Sequence, residues 1–138
     1  VDGRKIAVLG VTFKPNTDDM RESPSLDILP ALQEAGALIC AYDPEGMAEA
    51  TPLLPGVEWC DGAYETMGGA DAVVIITEWS EFRLLDLARV RASLRQPLMI
   101  DFRNIYSPNE MAAAGFVYHS VGRPDFAAEP TLVAEKTG

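Results

Sequence analysis

The chain has 138 residues, 48% of them hydrophobic, and 11 basic against 21 acidic side chains for a net charge of -10. That length suits one compact domain, and the acidic balance repels nucleic acid and anionic lipid, so a phosphate ligand needs a local cluster of cations. No apolar run approaches the roughly 20 residues that cross a bilayer and no charged-then-apolar leader opens the chain, which predicts no membrane partner and a cytoplasmic location.

The first strand is expected at KIAVLGV (5–11), followed by the loop GVTFKPNTDDMRES (10–23). A helix is expected over 24–35, with Ser23 as N-cap, Pro24 at the first helical position, Leu26, Leu29 and Leu32 on one face, and Gly36 closing it. Pro30 inside that helix removes a hydrogen bond, at a typical cost of about 3 kcal/mol. The second strand is ALICAYD (37–43), which Asp43 and Pro44 end in a turn. A weaker helix at 45–50, a short strand at 57–60 and a helix at 62–69 come next. They lead to the strand DAVVIIT (71–77) and a single helix over 80–94. The strand PLMIDFR (97–103), a helix at 108–114 and the strand FVYHSV (116–121) complete the pattern.

Strands and helices in alternation, with strands apolar on both faces, specify an α/β fold. The expected form is a Rossmann-like doubly wound parallel sheet of about five or six strands with helices on both faces. Residues 1–121 form that domain, and 122–138, with two prolines and no periodicity, are expected to be a loosely ordered tail. Val1 runs almost at once into a strand, which suggests a piece excised from a longer chain.

Ligands of such sheets sit beyond the carboxyl ends of the strands. Three loops meet there: 10–23, TEWSEF (77–82) and DFRNIYSP (101–108), so Lys14, Arg21, Thr77, Trp79 and Arg103 are expected along one edge. Lys and Arg there, with free N–H groups where the helix begins near Ser23, suit a diphosphate. On charge pattern alone an alternative stands beside it: Asp18, Asp19 and Glu22 pair with Lys14 and Arg21 as a solvated cluster. Gly10 is not followed by G-x-G-x-x-G, so NAD is not cradled here in the usual way. Asp101 is expected to orient Arg103 across the loop, and His119 to be a partly buried strand histidine. Cys40 and Cys60 are expected to be reduced core thiols, and with one histidine they make no metal-ligand set. Trp59 and Tyr64 carry no signal beyond packing.

KIAVLGVTFKPNTDDMRESPSLDILPALQEAGA, AYDP, ADAVVIITEWSEFR and MIDFRN, in that order and spacing, resemble the C-terminal domain of the UDP-glucose/GDP-mannose dehydrogenase family over about residues 3 to 121. Within it, F-K-P-N-T-D-D-x-R with T-E-W is similar to the UDP-glucose branch. The resemblance implies that Phe13, Lys14 and Arg103 contact the UDP part of UDP-glucose, and that Arg21 reaches across a domain cleft toward NAD. It also implies a double oxidation through a cysteine thiolate carried, with the NAD loop, by the N-terminal domain of the same parent chain. Neither Cys40 nor Cys60 matches that cysteine motif, so this chain alone is expected to be inactive. A homo-oligomer is expected, and a receiver-like signalling module and an assembly module are the competing expectations.

Overall fold

The protein, seen in a computed structural model, is described over residues 3–12, 19–21 and 23–120; Phe13, Lys14, Asp18, Glu22 and the expected tail 122–138 lie outside them. Six strands form one sheet: β1 (Lys5–Leu9), β2 (Leu38–Tyr42), β3 (Glu58–Trp59), β4 (Ala72–Ile75), β5 (Leu98–Asp101) and β6 (Val117–Ser120). Their order is β3-β2-β1-β4-β5-β6 and every neighbouring pair is parallel. The expected doubly wound fold is therefore present. Its strand order reverses between β1 and β4, where the loops leave in opposite directions and open a crevice.

The helices are α1 (Ser25–Glu34), α2 (Met47–Ala50), α3 (Ala63–Met67), α4 (Ser80–Arg83), α5 (Leu87–Ser93) and α6 (Pro108–Ala113). Right-handed crossovers put leftward steps on one face and rightward steps on the other. Leu29 of α1 and Ala50 of α2 accordingly pack with Ile6, Val8, Ile39 and Val74. Met67, Phe82, Val90 and Met111, from α3 to α6, pack with Leu9, Val73, Ile75 and Met99.

That division leaves the first face thin over β5 and β6. Leu98 and Ile100 are half-buried there and Val117 is 54% exposed, whereas Met99 on the opposite face is fully buried. His119, expected to be partly buried, stands exposed on this face because β6 is the edge strand.

One expected element is divided. In place of a single helix over 80–94, α4 stops at Arg83 and α5 begins at Leu87. Asp86 accepts from the N–H groups of Ala88 and Arg89 at 3.1 and 3.3 Å, and its own N–H donates to the Tyr64 hydroxyl at 2.8 Å. A short carboxylate that satisfies the first amides of a new helix competes with continuation of the old one.

Candidate functional site

The carboxyl rim is organised by a buried carboxylate. Asp43, at the exit of β2, is fully buried and accepts six hydrogen bonds. Its Oδ2 accepts from Val11 N at 2.8 Å, Thr12 N at 3.2 Å, Thr12 Oγ1 at 3.1 Å and Trp79 Nε1 at 3.1 Å. Its Oδ1 accepts from Glu45 N at 3.0 Å and Gly46 N at 2.8 Å. The expected strand-ending turn is there, in the form of an Asx turn. The Asp-Pro step in the sequence signalled that turn, but nothing local signalled the three partners on other segments.

Thr77 and Trp79, expected to line the crevice, face inward instead. Thr77 is fully buried and its hydroxyl donates to Thr12 O at 2.6 Å, while Trp79, 7% exposed, spends its indole N–H on Asp43. These side chains hold the rim together and present no polar atom to a ligand through those bonds.

Arg103 does reach the rim. Asp101, fully buried at the end of β5, accepts from the backbone N–H groups of Arg103, Asn104 and Ile105, each at 2.8 Å, and from the Tyr118 hydroxyl at 2.6 Å. Asn104 takes φ 59, a conformation Asn tolerates better than most residues, and Ser120 donates to its side-chain oxygen. Asp101 thus orients Arg103 across the loop, as expected, through the main chain. The Arg103 Nε donates to Ile76 O at 2.8 Å and lies 3.6 Å from Glu78 Oε1, with 30% of the side chain exposed.

Arg21 answers the question left open by the charge pattern for one pair. Its Nε and Nη2 donate to the two carboxylate oxygens of Asp19 at 3.0 and 2.9 Å, with 89% of the side chain exposed. Hydrogen bonding to Asp19 and its charge raise the Arg21 pKa further, so the guanidinium remains a cation. A ligand recruiting Arg21 has to compete with Asp19.

The expected free amides at the start of α1 are already occupied. Ser25 N donates to Ser23 Oγ at 3.2 Å, Leu26 N to Ser23 O at 3.1 Å and Asp27 N to Pro24 O at 3.0 Å. Those three amides are therefore not open to an anion.

Cys40 lacks the surroundings of a nucleophile. Both are free thiols, Cys40 buried and Cys60 half-buried, so only the first is a core residue in full. Burial, with Glu58 adjacent, pushes the Cys40 thiol up to about 11, opposite to the direction thiolate chemistry requires. A shift from 9.0 to about 11 lowers the thiolate fraction at pH 8 about 100-fold. Maleimide labelling at pH 8 is expected to modify the half-buried Cys60 first, with Cys40 reacting about 100-fold more slowly than an ordinary exposed thiol until the fold is denatured. Equal labelling rates in the folded protein would contradict this placement. Tyr42, beside Cys40's strand end, donates to both oxygens of Glu81 at 3.2 and 3.1 Å, and burial with that carboxylate raises it to about 12.

Two other site chemistries fit poorly. A ribose-reading carboxylate at the end of β2 must have an oxygen to offer, and Asp43 gives both to its own chain. A receiver-like site needs an acid at the end of the central strand beside β1, where the sequence here reads Ile75, Ile76, Thr77, and the sheet order differs from the receiver's. Among the described residues no group of three or more His, Cys, Asp or Glu side chains is arranged to hold a metal.

Known proteins place this arrangement. Residues 7–108 match the sequence model of the UDP-glucose/GDP-mannose dehydrogenase family, UDP binding domain. A UDP-glucose 6-dehydrogenase of Rhizobium meliloti is 54% identical over 125 residues, covering 91% of this chain and 29% of that protein. UDP-glucose 6-dehydrogenase TuaD of Bacillus subtilis is 49% identical over 125 residues, covering 90% of this chain and 27% of its own length. Among solved structures, an NDP-N-acetyl-D-galactosaminuronic acid dehydrogenase from Methanosarcina mazei superposes with a TM-score of 0.77 at 34% identity, over 88% of this chain and 25% of that one. This chain thus spans less than a third of the length of the relatives it matches. On its strand order, its rim and these matches, the chain belongs to the UDP-glucose/GDP-mannose dehydrogenase family, as the UDP binding domain of that family.

Proposed function

We propose that this chain holds the UDP part of UDP-glucose, as one portion of an NAD-dependent UDP-glucose 6-dehydrogenase that converts UDP-glucose to UDP-glucuronate in two hydride transfers. Phe13 and Lys14, in the loop after β1, and Arg103, in the turn after β5, are the proposed UDP contacts. Arg21 is the proposed contact toward NAD. NAD, which supplies the hydride acceptor, is held in this reading by the rest of the parent chain, since the loop after β1 lacks the glycine pattern and Asp43 is consumed internally. The UDP-sugar-binding domain is proposed to be residues 1–121.

The observation that carries the reading is the set of hydrogen bonds linking the cation-bearing segments. Arg103 bonds to Ile76 O, and the next residue, Thr77, bonds to Thr12 O, one residue before Phe13 and two before Lys14. In this reading a diphosphate crossing the top of β4 meets Arg103 from the turn after β5, and Lys14 is the proposed second cation. UDP-glucose is preferred over other UDP sugars on the motifs F-K-P-N-T-D-D-x-R and T-E-W. Among the described residues no helix is long and apolar enough to cross a membrane, and a cytoplasmic setting is proposed with it.

Calorimetric titration with UDP, GDP and NAD in turn tests the assignment. UDP is expected to bind best, and Arg103→Ala to weaken it about tenfold or more, the scale of one charge-assisted contact. Tight NAD binding with indifference to UDP would reverse the reading. The parent enzyme is proposed to be a homo-oligomer. In this chain the thinly covered strip of Leu98, Ile100 and Val117 is proposed to bring two copies together at high concentration. A monomeric sedimentation profile across a wide concentration range would dismiss that contact.

A further inference from the structure

We infer that Thr77 is a positioning residue for the nucleotide site: with Asp43, Ser23 and Ser25 it clamps Val11 and Thr12, so that the chain leaves β1 in one direction. The consequence for the ligand rests on the proposed UDP binding; the clamp itself rests on geometry alone. β1 ends at Leu9, and the last sheet-like bond on this segment runs from Gly10 N to Tyr42 O at 2.8 Å. Val11 and Thr12 lie past that point and are nonetheless fully buried. Each of their four backbone polar groups must find a partner, and each finds a side chain.

The partners come from three separate segments. Asp43, after β2, takes both N–H groups at 2.8 and 3.2 Å. Ser23 and Ser25, at the start of α1, donate to Val11 O at 2.6 and 2.7 Å. Thr77, after β4, donates to Thr12 O at 2.6 Å. A strand continued by ladder bonds would need none of these. A buried peptide held from three sides by side chains is instead fixed in a direction that the ladder does not impose. Thr77 occupies the joint between the two cation-bearing segments, because Arg103 Nε bonds to the carbonyl of the preceding Ile76. Its hydroxyl is therefore the contact through which the exit of β1 and the turn after β5 are held in register.

Thr77→Val keeps the side chain's shape and removes the donor, and Thr77→Ser keeps the donor and removes the methyl group. UDP affinity by calorimetry, well below the melting temperature of every variant, is expected to fall about tenfold in Thr77→Val and to return to within about twofold of the parent in Thr77→Ser. Amide hydrogen exchange over residues 11–21, measured without nucleotide, is expected to quicken about tenfold in Thr77→Val and to be restored in Thr77→Ser. Unchanged UDP affinity in Thr77→Val overturns the positioning role, as does a loss that Thr77→Ser fails to restore. If the parent chain binds no UDP, the proposed function fails separately. Exchange then decides the clamp: an unchanged rate in Thr77→Val overturns it and a restored acceleration supports it. Should Thr77→Val not fold, Ser25→Ala, which removes one of the two donors to Val11 O, is read by the same two measurements and the same outcomes.

Discussion

Asp43→Ala is expected to cost about 3–5 kcal/mol, enough to leave the domain largely unfolded if its total stability lies at the low end of the usual ~5–15 kcal/mol. The reason is the asymmetry of buried hydrogen bonding. Removing the carboxylate strands four backbone amides, two on the segment after β1 and two in its own turn, with a hydroxyl and an indole N–H, each of which loses a charged acceptor. Asp43→Asn is expected to recover only part of the loss. An amide places an NH2 group where one of the two oxygens now accepts, and both oxygens face donors only. Urea denaturation followed by far-UV circular dichroism measures the effect. A midpoint for Asp43→Ala matching that of the parent chain would mean that the carboxylate is incidental to the rim.

Gly10→Ala is the second large effect, expected to destabilise by about 3 kcal/mol or more. Gly10 has φ +84, and a Cβ there would lie 2.6 Å from Thr77 Cβ and 2.8 Å from Thr77 N. The backbone penalty alone is about 1–2 kcal/mol. The remainder comes from forcing apart β1 and β4 at their exits, where Thr77 is pinned to Thr12 and cannot swing away. Gly3 supplies the control: its φ is +75, but nothing lies within 4 Å of an added Cβ. Gly3→Ala is therefore expected to show the backbone penalty alone, and equal urea midpoints for the two variants would show that the contact with Thr77 carries no weight.

Both sites lie where reading along the chain was least informative. The sequence identified Asp43 as a turn residue, which it is, because an Asx turn is made with amides two and three residues on. Its bonds to Val11, Thr12 and Trp79 span 31 to 36 positions and leave no local pattern. The same distance effect explains Thr77 and Trp79. Their position on the rim was legible from the strand end, but their inward direction depends on where β1 and β2 exit. Asp101 was correctly paired with Arg103 by proximity in sequence. That the pairing runs through three successive amides follows from the turn at Asn104, with Tyr118 and Ser120 supporting it from the neighbouring strand.

The alternation of apolar strands with helices, and hence a parallel sheet wound on both faces, was legible in the linear order of residues, because hydrophobic period and turn residues are properties of neighbouring positions. The sequence also marked the motifs that identify the family, since those are linear. Tertiary structure alone decided which polar side chains are consumed inside the rim and which remain at its surface. It turned Asp43, Thr77 and Trp79 inward and exposed His119 on an edge strand. The physical reason is shared by Asp43, Thr77 and Trp79. A hydrogen-bonding group is satisfied by whatever donor or acceptor folding brings beside it, and for a buried group at a strand exit that partner belongs to a different strand.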